Sequence, residues 1–281
     1  GSSANAGTST PAASTPASGG IEPIELTIYS PGNENSVPTK TIIEYARLVN
    51  EASDGAITLD VHHSNELGSD AESIESTRMG TIDLIFAGTS GFTSFYEKAK
   101  VLDLPFLFTS YEHAHAVLDG EIGQNLMAKL DDIGIVGGAF WENGFREMTN
   151  SKHPINSVAD CAGLKIRCME TKIYLSAYKA LGVNATPMAW GELLTALQQG
   201  TVDGCDAPLS VLYTNGFPDI CKYIDNVNLF YSPLPVCIST SVYESLSEED
   251  QAILKEAAQE AAKKHMKKCS PSLAIREMQI K

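Results

Sequence analysis

The chain has 281 residues, 43% of them apolar, with 20 Lys plus Arg against 35 Asp plus Glu and a net charge of −15. That length suits two lobes or one large domain with a full core, and the negative field argues against nucleic acid and anionic lipid as partners. No apolar run approaches the ~18 residues of a spanning helix; the densest, residues 101–108, is broken by Asp103 and Pro105.

Residues 1–20 are Gly, Ser, Ala, Thr and Pro with Asn5 as the exception, so 1–23 is expected to be a disordered tether. Such tethers commonly follow the lipidated cysteine of exported lipoproteins, which makes an extracytoplasmic location, periplasmic or membrane-tethered, the expectation, with an expression linker or a natural disordered tail as the alternatives. From residue 24 the pattern alternates: strand 25–29, helix 38–51, strand 56–62, helix 70–79, strand 82–87. Ser69-Asp70-Ala71-Glu72 has the form of a capping box and fixes the start of the second helix. Helices at 111–118 and 122–130 precede a strand at 133–141, and a separate strand at 146–150 opens a new unit. Helices at 173–181 and 191–199 and strands at 220–231 and 236–240 follow. Ser247, with acids behind it, caps a long Ala-rich helix that Pro271 must break or kink. Two α/β lobes crossed more than once by the chain account for this order.

No nucleophile elbow, P-loop or dinucleotide fingerprint is present. All six cysteines lie after residue 160, none in a C-x-x-C pair. Buried free thiols are the expected state, the pairing question stays open, and no metal or cofactor is expected. The residue that calls for chemistry is Arg167, in Gly163-Leu164-Lys165-Ile166-Arg167, where Leu164, Ile166 and Cys168 alternate with the two cations as in a half-buried strand. A planar guanidinium held on a strand needs an anionic partner, and a bidentate carboxylate fits it. An internal salt bridge satisfies that need as well as a ligand does. Arg146 starts another strand 21 positions earlier, across a helix-free loop, so the two can converge on one anion. Trp190, at the mouth of a helix, is either core or an apolar wall under a sugar ring.

Asn65-Glu66-Leu67-Gly68-Ser69-Asp70, Gly80-Thr81-Ile82-Asp83-Leu84, Gly144-Phe145-Arg146, Gly163-Leu164-Lys165-Ile166-Arg167, Pro187-Met188 and residues 196–204 come in a characteristic order and spacing. Over residues 24–281 the chain resembles the solute-binding proteins of tripartite ATP-independent periplasmic (TRAP) transporters, of the DctP type. The resemblance implies a two-lobed periplasmic-binding-protein-like fold with a ligand cleft between the lobes and a long C-terminal helix bridging both. Lobe one would be 24–143 plus 233–272, lobe two 144–232 plus 273–281. It implies a monomer that delivers a small organic acid to membrane permease subunits. Arg167 would clamp the ligand carboxylate, Arg146 would assist, and Asp70 and Glu72 would meet ligand hydroxyls.

There are departures. Cys205-Asp206-Ala207-Pro208 puts Ala207 where the family usually has a ligand-bonding Asn, and Glu192-Leu193-Leu194 replaces Glu-x-Tyr. Gly88-Thr89-Ser90-Gly91 lacks the Glu and Arg of sialic-acid binders, and the chain ends at Lys281, earlier than is usual. With Asp70, Glu72, Thr89, Ser90 and Asp206 as hydroxyl partners beside the arginines, a sugar acid such as a hexuronate is the expected ligand. A C4-dicarboxylate is the nearest competitor. A ligand-sensing domain and a carboxylate-processing α/β enzyme are the readings from other classes, the latter weakened because no His or Lys beside the arginines fits as a base.

Overall fold

The computed structural model describes residues 23–268; the tether, Cys269, Pro271 and the 273–281 part of lobe two fall outside the described residues. β1 (Ile24–Tyr29), β2 (Ile57–His62) and β3 (Leu84–Phe86) run parallel in the order β2-β1-β3. The crossovers are α1 (Val37–Ala52) and α2 (Asp70–Arg78). α1 starts at Ser36, whose side chain accepts from the Thr39 amide, with Pro38 in the first turn, and it buries Ile42, Tyr45 and Val49, the i, i+3, i+7 stripe of an amphipathic helix. α2 opens with the capping box read from the sequence: Ser69 Oγ accepts from the Glu72 amide while Glu72 Oε2 accepts from the Ser69 amide at 2.8 Å. A short helix α3 (Thr89–Phe92), then α4 (Tyr111–Leu118) and α5 (Glu121–Ala128), complete this half.

Two long antiparallel strands carry the chain across the molecule. β4 (Ile135–Asn150) and β8 (Tyr223–Ser239) pair along most of their length and join one eight-stranded sheet, completed by β5 (Lys165–Cys168), β6 (Asn184–Pro187) and β7 (Gly204–Ala207), in the order β2-β1-β3-β8-β4-β7-β5-β6. Each long strand corrects an expectation, because the sequence reads as two strands in both places. The break signals, Asn143-Gly144 and Ser232-Pro233, mark a register shift between Glu142 and Gly144 instead of a turn. Gly144 adopts φ +115°, where a side chain is strained, and proline is tolerated in a ladder at such irregularities. A second correction concerns 151–164, expected to be free of helix: a 3₁₀ turn, Val158–Cys161, lies there, capped by Ser157 and Asp160.

The second half wraps β5 and β6 with α6 (Lys172–Ala180), and α7 (Trp190–Gln198) and α8 (Leu209–Thr214) flank β7. Gly204 is required at the β4–β7 seam, since a Cβ there would fall 1.8 Å from the Thr149 carbonyl oxygen. Most of the apolar cores divide in the same way, while one aromatic cluster, Phe145 and Tyr231 packed with Leu102, Phe108 and Leu118, spans the junction. One packs α1 and α10 (Glu248–Lys268) on β1, β3 and the outer ends of β4 and β8, and Trp141 donates to the Ala258 carbonyl at 3.1 Å. Others, built from Met148 to Phe230 and from Leu193 to Cys221, use only residues of the second half. α10 is capped by Ser247 as expected and reaches the junction of the halves, where His265 bridges Thr41 and the Glu142 carbonyl. The remaining short helix, α9 (Thr240–Ser245), links β8 to α10. Cys161, Cys168, Cys205, Cys221 and Cys237 are buried free thiols.

Candidate functional site

Between the halves lies a cleft made of two adjoining cavities of about 650 and 700 Å³, both lined by Asp70, Met169 and Trp190. Three of its parts come from element ends, Asp70 from α2, Arg167 from β5 and Trp190 from the first turn of α7, while Arg146 projects from the interior of β4. Ligands sit beyond strand ends in open α/β sheets for this reason, since loops and helix N-termini converge there.

The two arginines differ in state. Arg146 is buried and ion-paired: its Nε donates to Asp206 Oδ2 at 2.5 Å and its Nη2 to the Asp206 carbonyl at 2.6 Å. Tyr174 lies under the guanidinium, 5.8 Å from ring centroid to Cζ, and is itself stacked on Phe230. Burial, the largest single influence, would lower the Arg146 pKa, but the Asp206 charge and hydrogen bond together with Tyr174 and Tyr178 outweigh it and the net shift is upward. Arg167 is 1% exposed. It donates Nε to the Met188 carbonyl at 2.8 Å and Nη1 to Met169 Sδ at 3.5 Å, and lies 5.7 Å over the Trp190 ring. Among the described residues no carboxylate stands within ion-pair distance of it. Burial, then the like charge of Arg146, depresses its pKa. A buried cation so placed holds unused capacity for an anion.

Asp70 faces both cavities. Burial pushes its carboxyl up to about 6, with Arg167 and a bond from the Gly88 amide pulling the other way. Ser90 lines the cleft and donates to Asp103 Oδ1 at 2.8 Å. Trp190 is wall and not core alone, since it lines both cavities while packing on Phe217. Three expected ligand residues are placed elsewhere. Glu72 is exposed and its carboxylate is consumed by the Ser69 cap. Thr89 is buried against a separate apolar pocket with Phe92 and Leu102. Asp206 is fully buried behind Arg146 and acts through it.

The sequence reading missed Asp103 and Tyr174. Asp103 is buried, its carboxyl pushed up to about 6 by burial, tempered by the Ser90 bond and by the charge of Arg146. Its signal was an acid inside the apolar run 101–108. Asn143 and Ser232, which line the cleft from the bulged stretch, were hidden by the assumption of a strand break there.

The family model described as "Bacterial extracellular solute-binding protein, family 7", DctP, matches residues 30–272. The chain belongs to this family. DctP relatives include the 2,3-diketo-L-gulonate-binding periplasmic protein YiaO of Escherichia coli, 36% identical over 76% of this chain and 65% of its own length. Among solved structures, the sugar acid binding protein DctPAm of Advenella mimigardefordensis, in complex with galactonate, superposes with a TM-score of 0.89 at 33% identity, covering 92% of this chain and 84% of that one. A TRAP periplasmic solute binding protein of Polaromonas bound to D-erythronate gives 0.85 at 39% identity, covering 88% and 81%. The chain spans 63% to 69% of the length of the first curated relatives it matches. The two-lobed fold expected for a TRAP solute-binding protein is thus the fold of this chain, and its family is one of binding proteins for transport, not of enzymes.

Proposed function

We propose that this DctP protein is the extracytoplasmic receptor of a TRAP transporter. It closes on a small sugar acid, such as a hexuronate, and hands it to the membrane permease subunits. One observation carries the reading: Arg167, buried at the cleft, is held by a carbonyl, a thioether and an indole face but is ion-paired with no carboxylate among the described residues. A ligand carboxylate supplies what the fold withholds, and the relatives bound to galactonate and D-erythronate support that class. Asp70 and Ser90 then take hydroxyls, with Trp190 under the carbon chain and Arg146 lending field.

The lobe limits 143/144 and 232/233 are supported by the register shift beside Gly144 and by the two cores that lie wholly within one half or the other, although the aromatic cluster of Phe145 and Tyr231 crosses them. Closure follows from differential affinity of the ligand for the closed arrangement. The protein acts as a monomer on the outer face of the cell membrane, periplasmic or tethered, and releases its ligand unchanged. Calorimetry with a sugar-acid panel tests the reading. Arg167→Ala or Arg167→Lys should weaken binding at least tenfold, about 1.4 kcal/mol or more; unchanged affinity refutes the clamp, and product formation from a bound acid would place the protein among enzymes.

A further inference from the structure

The charges at the cleft are matched to one carboxylate and not to two. Arg146 is spent on Asp206, so Arg167 is the cation left for a ligand among the described residues lining the two cavities. Two acids line them as well, Asp70 in both and Glu170 in the one that holds Arg167. Asp103 stands behind Arg146. The remaining polar lining is neutral: Ser30, Asn143, Asn215 and Ser232 on the Arg146 side, Ser94 and Thr171 on the Arg167 side. Hydroxyls and amides satisfy ligand hydroxyls at little cost, whereas a second carboxylate desolvated among them has no counter-charge and faces the field of Asp70. Discrimination of this kind comes from the repulsive element as much as from the attractive one.

Resting on the receptor reading above, we infer that the ligand is a polyhydroxy monocarboxylate, and that Asp70, facing the one uncommitted arginine, is the residue that rejects dianions. The measurement uses matched pairs that differ only in CH₂OH against COO⁻ at the far carbon: gluconate with glucarate, galactonate with galactarate, threonate with tartrate. In whichever pair binds, calorimetry at pH 7.5 should favour the monoanion at least tenfold. Asp70→Asn should shrink that ratio at least threefold. Asp70 faces Arg167 and Arg146 on the neighbouring strands, Glu170 beyond β5 and Tyr29 on β1, with Glu72 on its own helix. Since its carboxyl titrates near 6, lowering the pH from 7.5 to 5.5 should shrink the wild-type ratio but move that of Asp70→Asn much less. Asp103 titrates in the same range, so an equal pH response in the variant would assign the effect to Asp103 and overturn the role of Asp70. A dianion bound as tightly as its partner at pH 7.5 overturns the inference while leaving the Arg167 clamp standing. If no carboxylate binds at all, the receptor reading falls and this inference with it. Should the Asp70 variant prove unstable by thermal melt, the wild-type pairs and pH series decide the outcome alone.

Discussion

The seam between β4 and β7 and the end of β5 each present a buried arginine to the same cleft, and they solve the cost of burying a charge in opposite ways. At the seam the fold brings its own anion: Asp206 takes both a guanidinium edge and, through its carbonyl, a terminal nitrogen of Arg146. At β5 the fold supplies only neutral acceptors, and Arg167 keeps a depressed pKa. The first arrangement offsets the cost of burying its cation, so that removing Asp206 alone is destabilising, and the second stores a binding site at the expense of stability. Both arginines sit on one sheet within one cleft.

The largest test of that contrast is to remove one partner at each place. Asp206→Asn leaves a cation buried without its counter-charge and should cost about 3–5 kcal/mol, read as a fall in denaturation midpoint. Arg167→Met should leave stability unchanged or raise it while binding is lost. If both substitutions destabilise equally, the division of roles is wrong.

A smaller effect concerns Asp70 and Asp103, whose folded pKa values, both about 6, lie above the ordinary 3.8. Their ionised forms are disfavoured by folding. The penalty is therefore fully present above pH 6 and is relieved as pH falls from 6 towards 4. The ligand-free protein should gain thermal stability from these groups between pH 7.5 and 5, and Asp70→Asn should stabilise it at pH 7.5 by on the order of 1 kcal/mol, a difference that vanishes near pH 4. The smallest effect lies at the mouth of the cleft. Asn33, between β1 and α1, donates to Asn215 Oδ1 at 2.8 Å and to the Thr214 carbonyl at 3.3 Å, joining the lobes. Asn33→Ala should weaken ligand binding by about 0.5–1 kcal/mol through faster dissociation, with ligand contacts intact.

How far the site could be read beforehand differs residue by residue. Arg167 was legible as a strand-borne cation among apolar neighbours, with a salt bridge and a ligand left equally open, and Trp190 was left as either core or wall. Thr89 and Ser90 are adjacent in sequence, yet only Ser90 lines the cleft, because α3 points them to different faces. Glu72 was legible twice over, as cap and as ligand contact, and its geometry commits it to the cap.

Local signals that act within a few residues were sufficient for the helix starts at Ser69 and Ser247 and for the strands of the first half, since caps and periodicity are properties of neighbours in the chain. What the sequence by itself determined, then, was the longer helices and the strands of the first half, the family resemblance and the presence of a strand-borne cation. Tertiary structure alone decided that β4 and β8 run unbroken through the junction, that Asp206, 60 positions away from Arg146, neutralises it, and that Arg167 meets no ion-paired carboxylate among the described residues. Pairing across such separations depends on which strands become neighbours in the sheet, and no local pattern encodes that choice.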